Sequence, residues 1–160
     1  MKTQEITFHQ LSDIEPADML ALMNNAQVRQ QMPLFNGDFT QDDYERFIAA
    51  KEELWQTHGY GPWAFKVNGV FAGWGGLQPE NGDADLALVL LPRFWGVGRK
   101  LYRLIIEKAF KEMQLPSVTI LFPPSRTRIQ GILRLGFKEE DRIDINGYTF
   151  IKYRLMAGNA

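Results

Sequence analysis

The sequence contains no cysteine, which excludes disulfides, thiolate metal sites and a cysteine nucleophile together. Histidine is nearly as scarce. His9 and His58 are the only two, far apart and without a carboxylate-rich helix between them at metal-ligand spacing, so no metal site is expected and both read as surface residues. No stretch of about 18 apolar residues exists that could cross a bilayer, and the N-terminal MKTQEITFHQLSD lacks the apolar core of a secretory signal. A cytoplasmic protein is the expectation. Lys and Arg number 18 against 19 Asp and Glu, so the overall charge argues for neither nucleic acid nor a membrane as partner.

What is present suits one folded domain over residues 1–160. A composition of 45% hydrophobic and 23% charged residues matches neither a disordered nor a fibrous chain, and no linker, low-complexity tract or repeat divides it. EITFHQL alternates, with Ile6 and Phe8 on one face, and predicts a strand. A helical segment follows, with Pro16 in its first turn, Met19, Leu22, Met23 and Ala26 at helical spacing, and Pro33 as its stop. FTQDDYERFIAAKEELWQTHG predicts a helix with Thr40 and Asp43 as a capping box, Tyr44, Phe47, Ile48, Lys51 and Trp55 on one face, and Gly59 as its end. Asn68-Gly69 between two β-prone runs predicts a hairpin. DADLALVLL reads as a strand buried on both faces at its end. Val97 to Met113 reads as a helix closed by Pro116, SVTILF as a strand, and RTRIQGILRL as a helix capped by Gly136. Two last strands join through Asn146-Gly147, and the tail MAGNA is expected to fray. The order implies a mixed α/β (α+β) fold around one sheet.

The most informative stretch is LLPRFWGVGRKLY, residues 90–102. A strand that delivers its carboxyl end to a tight glycine turn and then to a helix N-terminus aims unpaired N–H groups and the positive end of a helix dipole at one spot, which suits a phosphate. Gly96 and Gly98 would let backbone approach a pyrophosphate and take positive φ where needed. Arg93, Arg99, Lys100 and Arg103 add local positive charge. Two familiar phosphate motifs fail: Leu101 stands where the dinucleotide fingerprint needs its third glycine, and no Gly-Lys-Ser/Thr exists. The plain alternative is that the two glycines only make a connection.

ADLALVLLPRFWGVGRKLY resembles the acyl-CoA-binding segment of the GCN5-related N-acetyltransferase (GNAT) superfamily. Its Trp-Gly-x-Gly form is similar to the branch containing the ribosomal-protein N-terminal acetyltransferases. The family pattern Gln/Arg-x-x-Gly-x-Gly/Ala is met by Trp95 in place of the first residue and by Gly98, while Lys100 takes the final Gly/Ala position. ILRLGFKEE and the closing strand pair resemble the family's C-terminal motif. There the asparagine at the helix start, the serine three residues later and the tyrosine before Gly-Phe are replaced by Ser125, Arg128 and Ile132. The resemblance covers nearly the whole chain and implies an acyl-CoA-binding core at about residues 83–137.

It also implies transfer of an acetyl group from acetyl-CoA to a primary amine, on a protein N-terminus or a small molecule, by direct attack in a ternary complex. In the family the strand before the glycine turn is bulged and splays from the next one, so that backbone at Val89, Leu90 and Leu91 meets the pantetheine arm. Trp95, Gly96, Val97, Gly98, Arg99 and Lys100 would then hold the pyrophosphate, and Ser125 and Arg128 lie at the far side of the cofactor. Asp85 aligns with an acidic residue of this strand and is the candidate base, the alternative being a solvated carboxylate. Ser125, Tyr148 and Tyr153 are candidate proton donors. The thiol can also leave unaided as thiolate, its pKa being about 8.5. Arg126 and Arg128 are candidates for the 3′-phosphate. Trp63, Trp74 and Trp95 are candidates for an acceptor pocket, with core packing preferred for the first two. The loop PLFNGDF is expected to shape acceptor entry. Two rivals stand: a non-catalytic acyl-CoA-binding or sensing module, motivated by the missing serine and tyrosine, and a nucleotide-binding protein preferring ATP or NAD. Oligomeric state is open, a homodimer included.

Overall fold

The computed structural model of the protein describes residues 4–32 and 34–159. The chain runs as β1 (Ile6–His9), α1 (Pro16–Met23), α2 (Ala26–Gln30), α3 (Gln41–His58), β2 (Pro62–Val67), β3 (Val70–Glu80), β4 (Asp83–Leu90), α4 (Gly98–Glu107), β5 (Ser117–Phe122), α5 (Gln130–Leu135), β6 (Lys138–Ile145) and β7 (Tyr148–Met156). The strands form a seven-stranded sheet in the order β1-β2-β3-β4-β5-β7-β6. It is mostly antiparallel, with β4 and β5 parallel and Asp85 opposite Thr119. The mixed fold expected from the element order is the one observed. Within it the chain divides into two compact units, Met1–Gly76 with Leu88–Gly96, and Leu77–Ala87 with Val97–Ala160.

In the first unit α3 forms where its caps direct. Thr40 Oγ1 accepts from the Asp43 N–H at 3.2 Å and Asp43 Oδ2 accepts from the Thr40 N–H at 2.9 Å, while Gly59 closes the helix at φ 74°. The single helical segment expected after β1 is instead two helices. Asn25 Oδ1 accepts from the Gln27 and Val28 N–H groups, so a side chain competes with the helical ladder and restarts it. Pro33, expected as the stop, lies outside the described residues. Met19, Leu22 and Met23 of α1, Val28 of α2 and Ala64, Phe71 and Trp74 of β2 and β3 share one buried cluster with Phe39 and Tyr44.

The second unit is built on β5 and β7, with α4 and α5 packed against each other. Leu101, Ile105, Ile106 and Ala109 are buried along α4, which continues as a π-helical turn over Lys108–Glu112. The helix expected over 126–135 is only α5, so Arg126 and Arg128 precede it in an irregular segment. Gly136 caps it at φ 109° as expected. The turns Asn68-Gly69 and Asn146-Gly147 both take positive φ, and a third turn of the same chemistry, Asn81-Gly82, joins β3 to β4. Residues 157–159 form a 3₁₀ turn, with the Ala157 N–H on Pro116 O at 3.0 Å, rather than fraying.

Gly73 is a backbone position with little freedom. At φ 153°, a Cβ there would overlap the Val89 carbonyl oxygen and come within 2.8 Å of Leu90 Cα. Gly73→Ala is expected to lower stability by about 3 kcal/mol, from strain and overpacking together, measured as a shift of the urea midpoint at unchanged slope.

Candidate functional site

Alternation places Asp83 and Asp85 on one face of β4, and the structure gives these two carboxyls opposite environments. Asp85 is 3% exposed. Its Oδ1 accepts from Thr119 Oγ1 at 2.8 Å, and Gln78 also bonds to it. Burial is the largest influence and pushes its pKa up to about 7, helped by the nearby Glu80 charge and opposed by the hydrogen bonds and by Lys152. The alternative of a solvated carboxylate at a strand start is therefore excluded. A carboxyl poised near neutrality is suited to exchanging a proton with a substrate.

Asp83 is clamped instead. Lys152 Nζ lies 2.6 Å from its Oδ2, and Arg154 reaches both its oxygens at 3.0 Å. Hydrogen bonds from Arg154 above all hold its pKa down at about 2. Arg154 also donates to Ser117 Oγ at 2.8 Å and to Glu140 at 2.7 and 3.0 Å. Glu140 sits where the β6–β7 register shifts. The extra residue of a bulge re-aims a side chain, and here it brings a second carboxylate to the Lys152–Arg154 pair.

β4 leads through a 3₁₀ turn, Pro92–Val97, into α4. Neither Gly96 nor Gly98 takes positive φ, which corrects one reason expected for their presence. A Cβ at Gly96 would meet no protein atom within 4 Å, so the protein's own packing does not demand glycine there. The N-terminus of α4 has Val97 as N-cap and no side-chain cap hydrogen bond, unlike the capped α2 and α3. Its first N–H groups therefore have no side-chain cap as acceptor, the condition in which a helix start can take an anion. Val97 and Gly98 are buried, while Trp95, Gly96, Arg99 and Lys100 are exposed. Arg99 lies across α5, its Nε 3.1 Å from where a Gly131 Cβ would stand.

At the end of β4, the Leu91 N–H donates to Ala72 O at 2.8 Å, and the Leu91 donor is thereby committed to β3. Alternation turns the Leu90 N–H to the opposite side. The Leu90 carbonyl accepts from Trp95 Nε1 at 2.9 Å, which ties Trp95 to the strand it follows. Val89 and Leu91 pack against the first unit's core.

The candidate proton donors are dispersed. Ser125 is exposed after β5, Tyr148 is exposed at the start of β7, and Tyr153 is 3% exposed with its pKa raised chiefly by burial. Arg128 is exposed. Arg126 stacks on Phe122, its guanidinium 4.0 Å from the ring centroid, and bonds to the Tyr102 hydroxyl. Trp74 is a core residue, and Trp63 packs between Phe8 and Trp55. The sequence reading missed Thr119, Gln78, Tyr102 and the Lys152–Arg154–Glu140 cluster. Tyr102 lies one helical turn beyond Gly98, a spacing that could have found it. The others depend on strand register, which no local pattern announces.

The acetyltransferase (GNAT) domain family model matches residues 6–138. No functionally curated protein matches the sequence. Among solved structures, a protein assigned to the GnaT acetyltransferase family of Bordetella pertussis superposes with TM-score 0.78 at 16% identity, over 96% of this chain and 97% of its own. A GNAT-family acetyltransferase from Bacillus anthracis gives 0.74 at 15%, over 98% and 96%. Spermidine N-acetyltransferase from Vibrio cholerae, solved with CoA and spermine, gives 0.72 at 12%, over 98% and 96%.

Because the folded pKa of Asp85 lies above its ordinary value of 3.8, the folded state holds this proton more tightly than the unfolded chain. The contribution is full below pH 4 or so and is lost as pH rises through about 7. Asp85→Asn is therefore expected to be more stable than the parent at pH 8, by up to about 4 kcal/mol, and the advantage should shrink toward pH 4. Urea unfolding at both pH values checks this.

Proposed function

The chain belongs to the acetyltransferase (GNAT) domain family, and on that footing we propose that it moves an acetyl group from acetyl-CoA to a primary amine by direct attack in a ternary complex. The observation that carries the reading is Asp85: a buried carboxyl with a pKa of about 7, on the strand that feeds the glycine turn and the uncapped N-terminus of α4. A nucleotide-binding protein would account for the turn but not for this carboxyl.

In this reading the α4 N-terminus and residues 95–100 hold the pyrophosphate, with Gly96 leaving room for it, and Arg126 and Arg128 serve the 3′-phosphate. The bound cosubstrate supplies an activated acyl group. Asp85, as carboxylate, takes a proton from the incoming ammonium directly or through water, and the freed nitrogen lone pair attacks the carbonyl carbon. The Leu90 N–H donates to the carbonyl oxygen as negative charge grows there, a donor of the kind worth about 3 kcal/mol. Thr119 holds Asp85 on the correct rotamer. The carbon–sulfur bond then breaks, the electron pair leaves with sulfur, and the second nitrogen proton passes to water or to the thiolate as the amide forms. Ser125 is the hydroxyl we assign to the departing thiolate, which at a pKa of about 8.5 does not require a donor. The acceptor is a protein N-terminus or a small amine, and Trp95 keeps the ribosomal-protein N-terminal branch as the nearest analogy. A cytoplasmic setting and a homodimer belong to the same proposal.

Thermal unfolding with acetyl-CoA, dephospho-CoA, ATP and NAD tests the cosubstrate. Acetyl-CoA at about 100 times its dissociation constant should add about 2.7 kcal/mol, dephospho-CoA less, ATP and NAD little; a stronger response to ATP or NAD defeats the reading. Gly96→Leu should unfold at the parental temperature yet bind acetyl-CoA about tenfold more weakly or worse. In CoA-release assays kcat/KM should rise with pH through about 7, and Asp85→Asn should abolish that limb with a loss of about 10² to 10⁴. Tight acetyl-CoA binding without CoA release from any amine would instead identify a sensing module.

A further inference from the structure

The first unit carries a continuous row of aromatic rings: Phe35 to Phe39 at 5.7 Å between centroids, Phe39 to Phe47 at 5.9 Å and Phe47 to Trp74 at 5.1 Å. A cation stands at each end. The Arg29 guanidinium lies 4.6 Å from the Phe35 centroid and donates to Asn24 Oδ1 and the Gly37 carbonyl. Lys51 Nζ lies 5.4 Å from the Trp74 centroid and 5.5 Å from that of Phe47. Among the described residues neither cation has a carboxylate within ion-pair distance. Lys152 and Arg154, by contrast, with side chains 14% and 20% exposed, each touch both Asp83 and Glu140.

Lys51 is half-buried and burial lowers its pKa, so its charge is maintained at a cost that ring faces offset only in part. The row is also placed beside the end of β4. Phe39 and Trp74 form its buried floor, Phe35 and Phe47 its half-buried rim. Val89 and Leu91 pack on the same core cluster as Trp74, and Gly73, next to Trp74, lies against the Val89 carbonyl and Leu90 Cα. An acceptor presented to the backbone at Leu90 would meet aromatic surface and unpaired positive charge. Such a surface repels a polycation and suits an anion.

We propose that this row binds the acceptor, and that the acceptor is an amine carrying a carboxylate, which Lys51 pairs while the rings hold its apolar part. The proposal rests on the acetyl-transfer reading and narrows it to a substrate class, amino acids and related amino carboxylates, in preference to polyamines. No covalent step beyond the acetyl transfer already described is involved.

The test compares CoA release with matched acceptors: phenylalanine and phenylalaninamide, 6-aminohexanoate and its amide, aminopropyl phosphate and aminopropanol, and spermidine. The free carboxylates should exceed their amides in kcat/KM by about tenfold or more, the scale of one charged hydrogen bond, and should exceed spermidine. Lys51→Met should erase that preference by raising KM at little-changed kcat, and Lys51→Arg should restore most of it. Amides or spermidine turned over as well as the carboxylates overturn the inference and leave acetyl transfer standing, as does turnover confined to aminopropyl phosphate. No CoA release from any member overturns both. The parental comparison of carboxylate with amide decides the matter even if a Lys51 variant does not fold.

Discussion

Two carboxyls two residues apart on β4 face the same side of the sheet and are forced into opposite behaviour by what lies across from them. Asp85 meets a threonine hydroxyl and an amide, which satisfy it without supplying charge, so burial dominates and its proton is held to about pH 7. Asp83 meets two cations and stays ionised. The separation depends on register: a slip of one residue in β5 or β7 would turn Thr119 and Arg154 to the other face and exchange polar for apolar neighbours. The Lys152–Arg154–Glu140 cluster opposes such slippage, because its geometry is available in one alignment alone.

The division of labour in the chain follows. The second unit holds a buried carboxyl of raised pKa and a helix start without a side-chain cap, both of which rest on backbone and register. The first unit holds aromatic surface and two cations that have no carboxylate at ion-pair distance among the described residues, carried by α2, the loop after it, α3 and β3. A fold shared with acetyltransferases of low identity fixes neither set of side chains.

Much of the fold is legible in the sequence. The capping box at Thr40, the left-handed ends at Gly59 and Gly136, and two Asn-Gly hairpins are local chemistry, and each stands where its residues direct. Sequence and structure part where a local signal is outweighed by another or lies outside any local window. Asn25 splits one helix because an amide oxygen accepts two N–H groups that the helical pattern assigns to the ladder. The apolar spacing overextends α5 because it continues through a segment where Arg126 is engaged by Phe122 and Tyr102. Asp85 stands out on its strand from the sequence, but its hydrogen-bond partner Thr119 lies far along the chain, and of the two turn glycines, neither of which takes positive φ, Gly96 is exposed while Gly98 is buried.

The parallel alignment of β4 with β5 has a consequence for assembly. The Asn-Gly hairpins join neighbouring strands through two-residue turns, and such units close within about 1–10 μs. Asp85 and Thr119 are 34 residues apart and meet only by a crossover through α4, which carries a larger loop-closure entropy and the slower kinetics of non-local pairing. The Asp85 carboxyl, buried in the finished molecule, therefore stays hydrated until strands distant in sequence have paired. It loses its water only when this non-local seam closes, so the burial that tunes it is a product of tertiary pairing and not of any one hairpin.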